Sequence, residues 1–328
     1  MASHVSWGSI ELLHNVVRTL TAAHELGQPL PVVRYRGKVK LHGTNCAVQV
    51  AADGVHAQSR SAMLTPGADN YGFAAWVHAH RGYFAGLTPG IVVFGEWCGP
   101  GVQRGMAISQ VVERMFVVFA VRRGDDLIVE PAALRALLPA TGAPAGLDVL
   151  EWDDESFTID FAARPSLDAA AAALSARVEA VEREDPWVKR RFGVSGVGEG
   201  LVLYPVEVDG RPAPTAAEAL MALMFKAKGE KHRTVGARAA AQVDPTQVAS
   251  VDEFVALVVT EPRLQQGVAT VCGGTFGTQK IGKFLAWLSA DVRKESVAEL
   301  AAAGLTWPQV EKAVQARARA WFLAQHGA

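Results

Sequence analysis

The chain has 328 residues, of which half are apolar and a fifth are charged, and its formal net charge is −1. This length suggests about two domains, and the apolar fraction excludes a largely disordered chain. The small net charge excludes recruitment of a polyanion by a global positive field. Any nucleic-acid site must therefore be a local groove.

Three cysteines, Cys46, Cys98 and Cys272, lie far apart in the sequence, and no pair has the spacing of a zinc or redox motif. Such sparse cysteines suit a reducing compartment. The first ten residues lack the pattern of a secretion signal, and no apolar run reaches the ~18 residues of a membrane span. We therefore expect a cytoplasmic protein without a membrane partner.

The predicted elements of the first two thirds of the chain are mixed. Apolar spacing predicts a helix over 10–26, ended by Gly27. An Ala-rich helix is predicted over 166–184, with Ser166 as its N-cap. Strands are predicted at 32–35, 46–50, 54–58, 91–96, 115–121, 127–130, 200–203 and 224–227. Because strands and helices do not alternate regularly, this pattern favours an α+β fold over a doubly wound one.

The last third of the chain is different. After Arg233 the β-rich runs stop, and 234–246 has the composition of a linker. Ser250 and Glu253 form a capping box before a helix, and further helices are predicted over 282–289 and 307–325. We predict a first domain over 1–236 and an all-helical domain over 246–328.

Lysine is scarce, with 10 lysines against 22 arginines. A chain that prefers arginine can retain lysine where it needs an amine that loses its proton. Lys38 with Lys40, and Lys226 with Lys228 and Lys231, each lie at the end of a predicted strand. Taken alone, these clusters could equally be solvated surface.

The residues around Lys40 decide between a reactive amine and solvated surface. Lys40 is the first residue of the motif Lys-Leu-His-Gly-Thr-Asn. Further motifs follow in a fixed order: Arg60 within 59–71, Phe94–Gln103, the aromatic strand Phe116–Phe119, Glu199–Val202 and Phe225–Lys228. In this order, the motifs resemble the RNA ligases of the phage T4 RNA ligase two type, in the covalent nucleotidyltransferase superfamily. The C-terminal segments 261–264 and 276–283 are similar to that family's helical appendage, although this similarity is less specific than that of the preceding motifs.

This resemblance implies a nucleotidyltransferase (adenylation) domain of antiparallel sheets with flanking helices, followed by the helical domain. It also implies an ATP-dependent RNA ligase, with Mg²⁺ or Mn²⁺ as cofactor. Lys40 would attack the α-phosphorus of ATP and form a lysine-AMP intermediate. The AMP would then pass to an RNA 5′-phosphate, and a 3′-hydroxyl would displace it. The expected partner is RNA with such ends, as a nick in duplex RNA, and the protein is expected to be a monomer.

The resemblance also implies catalytic roles beside Lys40. Glu199 would position the metal, through water. Lys226 and Lys228, on one face of a strand, would hold the phosphates. Their positive field would also favour the neutral amine of Lys40, since a nearby cation disfavours the protonated form.

The remaining implied residues bind the nucleotide. Glu96 would accept hydrogen bonds from the ribose, Phe119 would stack on adenine and Arg60 would hold a phosphate. Gly43 would give its turn conformational freedom, and Asn45 would contact the nucleotide or the RNA end. His42 stands where DNA ligases and capping enzymes usually carry aspartate.

Several alternatives stay open at this stage. Phe119 could be an ordinary core residue, and Lys189–Arg191 could be either a solvated loop or an RNA contact. Three positions depart from the family's usual residues, namely Val39, Ala120 and Tyr204. These departures leave the lysine-AMP chemistry in place but bear on catalytic efficiency and on the handling of RNA ends. The function could also be ligation of DNA or mixed strands, or binding of nucleotide or RNA on a retired ligase fold.

Overall fold

The computed structural model describes residues 3–228, 251–302 and 305–326. The chain divides into two compact units, 1–229 and 230–328. The linker predicted over 234–246 and the capping residue Ser250 lie outside the described residues.

The first unit contains two sheets. The six-stranded sheet has the order β1-β13-β11-β2-β10, with β12 paired to β11, and the seven-stranded sheet has the order β5-β4-β3-β6-β7-β8, with β9 paired to β7. The strands are β1 (Glu11–Leu12), β2 (Val32–Val39), β3 (Thr44–Ala51), β4 (Gly54–Ser59), β5 (Met63–Leu64), β6 (Ile91–Cys98), β7 (Met115–Arg123), β8 (Asp126–Ile128), β9 (Leu147–Val149), β10 (Ser156–Asp160), β11 (Gly200–Val208), β12 (Arg211–Pro212) and β13 (Phe225–Lys228). Most neighbouring strands are antiparallel, and the pairs β1–β13 and β7–β9 are parallel.

Seven α-helices are found among the described residues of this unit, besides a short 3-10 helix over Ala107–Gln110. They are α1 (Leu13–Glu25), α2 (Phe73–Ala79), α3 (Arg81–Ala85), α4 (Pro131–Leu137), α5 (Arg164–Arg183), α6 (Pro186–Phe192) and α7 (Ala217–Leu223). The mixture of antiparallel sheets and helices is the α+β class that the sequence predicts.

The first unit has two hydrophobic cores. One core unites the two sheets, since it contains Val33 and Leu203 from the six-stranded sheet and Ala47 and Val117 from the seven-stranded sheet. The other core contains Val48 and Val118 together with residues of α2, α3 and α4. The central strands of the seven-stranded sheet are therefore covered on both faces, which explains the nearly continuous apolar sequence of β7.

The observed bounds differ from the predicted ones in two instructive places. Strand β2 continues from Tyr35 to Val39, because Arg36 pairs with both β10 and β11 and the three residues after it pair with β11. Helix α5 begins at Arg164 with Ala163 at the N-cap position, so the prediction that Ser166 caps this helix is wrong. The Ser166 hydroxyl instead accepts a hydrogen bond from the Asp160 amide, at 2.9 Å.

The described part of the second unit is helical. Its helices are α8 (Val251–Val258), α9 (Glu261–Cys272), α10 (Ile281–Glu295), α11 (Val297–Ala302) and α12 (Trp307–His326). They enclose a separate apolar core that includes Phe254, Phe284, Leu288 and Phe322. None of the described helices in the chain has the length and apolarity needed to cross a membrane.

Candidate active site

Three strand ends meet at one edge of the six-stranded sheet. Lys40 directly follows β2, Glu199 directly precedes β11, and Lys228 is the last residue of β13. The Lys40 amide donates to the Gly200 carbonyl at 2.8 Å, and Gly200 pairs with Lys228 across the ladder. Gly200 has φ +137°, and a Cβ here would collide with the Ala227 carbonyl. Only glycine lets β13 approach this closely.

The Glu199 carboxylate is the centre of this cluster. Its Oε2 accepts a hydrogen bond from Lys40 Nζ at 2.7 Å, and its Oε1 lies 2.9 Å from Lys228 Nζ. The His42 Nδ1 lies 3.2 Å from Oε2. The Lys40 side chain is 27% exposed and the Glu199 side chain 6% exposed. A reactant can therefore reach the amine, while the carboxylate is held behind it.

The charges of Lys40 and Glu199 stabilise each other. Burial by itself would lower the pKa of Lys40, but the charges of Glu199 and Glu96 and the hydrogen bond that Lys40 donates to Glu199 outweigh it and raise this pKa. Burial would likewise raise the pKa of Glu199, but Lys40 and Lys228 hold it well below its usual range. The raised pKa of Lys40 contradicts the expectation that neighbouring lysines favour its neutral amine, because the Glu199 carboxylate contacts Lys40 directly.

Glu96 lies on β6, beside the turn that follows Lys40. Its Oε1 accepts a hydrogen bond from the Gly43 amide at 2.9 Å. Burial, with Glu199 adding to it, raises the pKa of Glu96 to about 7. Gly43 is not among the glycines with left-handed backbone, and a Cβ here would collide with the Trp97 carbonyl. The requirement for glycine is thus a close approach to β6, and not the conformational freedom that the sequence suggested.

Phe119 and Arg60 both lie beside the N-terminal segment. The Phe119 side chain is 9% exposed and packs edge-on against Trp7, with ring centroids 4.9 Å apart. Trp7 also packs against Phe94, at 5.0 Å. Arg60 Nη2 donates to the Ser9 hydroxyl at 3.3 Å, and Arg60 acts electrostatically on both Lys40 and Glu96. Trp7 could not be identified from the sequence, because an isolated tryptophan before the first helix carries no periodic signal.

Two further predicted residues are placed by strand register. Asn45 on β3 pairs with Glu96 on β6, which brings it to the same side of the cluster as the Gly43 turn. Lys226 pairs with Val202 on β11 and with Leu12 on β1. Since strand side chains alternate, Lys226 and Lys228 share a face of β13.

The basic run Lys189–Arg191 lies in helix α6 and not in a loop. Each of its three cations is exposed and lies near a carboxylate. The pairs are Lys189–Glu184 at 3.5 Å, Arg190–Asp154 at 3.2 Å and Arg191–Asp148 at 2.7 Å. This partial neutralisation favours the solvated-surface interpretation.

All three positions that depart from the family's usual residues are interior. Tyr204 is 2% exposed and packs edge-on against Trp152, with ring centroids 5.6 Å apart, and Ala120 is fully buried. Val39 is buried in the core that unites the two sheets.

Comparison with known proteins gives the following similarities. No curated protein matches the chain. Among solved structures, an RNA ligase of Naegleria gruberi with pyrophosphate is 17% identical, with a TM-score of 0.45 over 70% of this chain and 57% of that one. A lysine-to-alanine mutant of that ligase with ATP and Mn is 15% identical, with a TM-score of 0.46 over 71% and 59%. The chain thus spans less than two thirds of these proteins.

The family of the chain is shown by its sequence and not by these distant structures. A family model described as RNA ligase matches residues 34–216, more than half of the chain. This region contains Lys40, Glu96 and Glu199, and it includes most of both sheets. The chain therefore belongs to the RNA ligase family.

Proposed function

We propose that this protein is an ATP-dependent RNA ligase of the phage T4 RNA ligase two type, with Lys40 as the residue that is adenylylated. One observation carries the proposal: a partly exposed lysine amine lies 2.7 Å from a buried carboxylate, with a second lysine 2.9 Å from the same carboxylate. Phosphoryl chemistry requires a nucleophile beside fixed positive charge, and this arrangement supports that role for Lys40.

The first step joins Lys40 to adenylate. The lone pair of the Nζ forms a bond to the α-phosphorus, and the bond from that phosphorus to the bridging oxygen breaks, so that pyrophosphate leaves. Because Glu199 favours the protonated amine, Lys40 has to lose a proton as ATP binds. Lys228 and Lys226 would hold the phosphate oxygens and stabilise the negative charge that develops on them.

The donor set fits a divalent cation that keeps most of its ligands as water and phosphate oxygen. Glu199 supplies a hard carboxylate oxygen, while the described residues contain no group of three or more histidine, cysteine or acidic side chains suited to a metal. Mg²⁺ typically binds through one or two carboxylates together with substrate phosphates and water. Bound at Glu199, Mg²⁺ or Mn²⁺ would supply positive charge beside the α-phosphate.

The nucleotide would be held by residues around this cluster. Glu96 would accept hydrogen bonds from the ribose, and Phe119 would contact the adenine ring. Arg60 would bind a phosphate oxygen through its planar guanidinium.

The turn after Lys40 would complete the binding site. His42 and Asn45 would contact the nucleotide or the RNA end, and Gly43 would let this turn lie against β6. In the later steps the AMP would pass to an RNA 5′-phosphate, and a 3′-hydroxyl at a nick in duplex RNA would displace it.

A labelling experiment tests the first step. The protein, freed of any bound AMP, is mixed with ATP labelled at the α-phosphate and with Mg²⁺ or Mn²⁺, then separated on a denaturing gel. We expect a covalently labelled band that is absent from Lys40→Ala. Lys40→Arg is the matched control, because arginine can retain the ion pair with Glu199 but has no amine that loses its proton at ordinary pH. No label in the unmodified protein would contradict the proposal and favour a binding protein on the same fold.

A second experiment tests the substrate. Nicked duplexes that differ only in having RNA or DNA on the 3′-hydroxyl side of the nick are incubated with the labelled enzyme. Faster sealing of the RNA strand is expected, and faster sealing of DNA would instead favour a polynucleotide ligase. We also propose that the protein acts as a cytoplasmic monomer, which sedimentation at working concentration tests for the oligomeric state.

A further inference from the structure

Lys38 lies two residues before Lys40 and has a different environment. It is on β2 and is fully buried, which is rare for lysine. Its Nζ donates to the carbonyl of Phe119 at 2.9 Å and to the carbonyl of Val129 at 2.7 Å. Both hydrogen bonds go to backbone oxygens and not to carboxylates. The side chain therefore connects β2 in one sheet to β7 and the end of β8 in the other.

The Phe119 carbonyl belongs to a β-bulge. Phe94 on β6 pairs with Ala120, whereas the next residue, Gly95, pairs with Val118. Phe119 is thus the extra residue on β7, without a register partner in the described strands. A bulge leaves its extra residue unpaired and re-aims side chains.

The bulge also changes the direction of the side chains. Val118 and Val121 belong to the core that the seven-stranded sheet forms with α2, α3 and α4. The consecutive residues Phe119 and Ala120 instead both belong to the core that unites the two sheets. Regular alternation would have put Phe119 and Ala120 on opposite faces. The position of the Phe119 ring therefore depends on this local departure from a regular strand.

Two aromatic rings surround the Lys38 ammonium. Its Nζ lies 4.7 Å from the ring centroid of Trp152 and 5.3 Å from that of Tyr204. A desolvated cation is stabilised by such ring faces, so the ammonium can stay in the interior without a carboxylate partner. The packing leaves the Nζ directed at the two carbonyls.

We propose that Lys38 is a positioning residue, which holds the Phe119 bulge against the strand that carries Lys40 and so fixes the aromatic wall of the adenine site. The adenine role of Phe119 rests on the proposed function, whereas the bond from Lys38 to the bulge does not. Lys38 acts through Phe119 and touches neither substrate nor metal.

The test compares Lys38→Met with Val33→Ala. Lys38→Met removes the Nζ that donates both hydrogen bonds, with little change in side-chain volume. Val33→Ala truncates a buried residue at the far end of the same strand. The first readout is amide hydrogen exchange of peptides that cover 116–121. We expect exchange to be about tenfold faster in Lys38→Met than in Val33→Ala, once the two are compared at equal global stability. This readout needs no ATP, so it stands even if the unmodified protein forms no adduct.

The second readout is the rate of adenylylation as a function of ATP concentration. For Lys38→Met we expect the KM for ATP to rise about tenfold while kcat changes less than about threefold, because binding is disturbed and the nucleophile is not. If Lys38→Met does not fold, Lys38→Gln carries both readouts, since its amide can donate to one of the carbonyls. Lys38→Arg retains a cation and hydrogen-bond donors, so its exchange rate and its KM for ATP should lie closer to those of the parent protein.

The proposal is overturned if the neutral variants match Val33→Ala in both exchange and KM. It is also overturned if Lys38→Arg changes the exchange rate and the KM for ATP as much as Lys38→Met does, because the effect would then come from packing alone.

Discussion

Lys38, near the end of β2, and Lys40, directly after that strand, lie two residues apart, yet their surroundings have opposite electrostatic effects. Lys40 is partly exposed and contacts the Glu199 carboxylate, which raises its pKa. Lys38 is fully buried between aromatic rings, and burial lowers its pKa to about 7 although Glu130 and Glu151 act in the other direction. A lysine with a low pKa would ordinarily be the candidate nucleophile.

Access decides between the two. No reactant can reach the Lys38 amine, which is fully buried, whereas the Lys40 side chain is partly exposed and can be reached from solvent. The comparison teaches that a pKa close to neutral identifies a desolvated lysine and does not by itself identify a catalytic one.

The largest effect is expected at the carboxylate that distinguishes Lys40 from Lys38. Glu199→Gln removes the charge that orients Lys40 and Lys228, and we expect the rate of adenylylation to fall by about a hundredfold or more. The measurement is the initial rate at saturating labelled ATP. Glu207→Gln, on β11 in an exposed pair with Arg34 of β2, is the control and should retain the parent rate. A loss of less than tenfold in Glu199→Gln would contradict the central role of this carboxylate.

The aromatic environment of Lys38 is tested at Trp152. Trp152→Leu removes the ring face from the ammonium and the indole donor from Glu130, and we expect the free energy of unfolding to fall by about 3 kcal/mol. Trp152→Phe keeps an aromatic face and should cost about 1 kcal/mol. Denaturation by urea measures both. Equal losses in the two variants would show that the ring contributes nothing to holding the buried cation.

The charge balance around Lys40 is tested through the pH dependence of stability. The pKa of Glu96 is raised to about 7 in the folded chain, so the folded state binds more protons than the unfolded state between about pH 4.5 and 7. The contribution of Glu96 to stability therefore falls as pH rises through this window. Glu96→Gln should remove this contribution, on the order of 1 kcal/mol, and retain the acceptor for the Gly43 amide.

The measurement for Glu96 is the urea midpoint of both proteins from pH 5 to pH 8. The parent should lose more stability over this range than Glu96→Gln does. Parallel curves would show that Glu96 is already ionised at pH 5 in the folded chain.

The smallest effect is expected at the basic run of helix α6. Arg190→Ala removes an exposed pair with Asp154 and should change the free energy of unfolding by less than about 1 kcal/mol. We also expect it to leave RNA sealing unchanged, since the three cations of this run lie near carboxylates. A marked fall in sealing without a fall in adenylylation would instead identify the run as an RNA contact.

The sequence was sufficient for much of the first unit. Alternating and β-rich runs located the main strands within a few residues, because a residue's preference for strand and the period of its neighbours are local properties. The motif around Lys40 and the motifs at Glu96 and Glu199 were likewise visible in order along the chain. The charged cluster itself was not visible, since Lys40 and Glu199 are 159 residues apart and meet only through the pairing of β2 with β11.

What the sequence by itself determined is therefore the fold class and the membership of the RNA ligase family, whereas the lysine nucleophile and the site residues around it stay predictions. Only the tertiary structure decided their charge states and the roles of Lys38 and Trp7, because desolvation, strand register and a bulge depend on distant parts of the chain. Two lysines on one strand look equivalent in a sequence. The chain that folds around them makes one a buried link between sheets and leaves the other open to solvent.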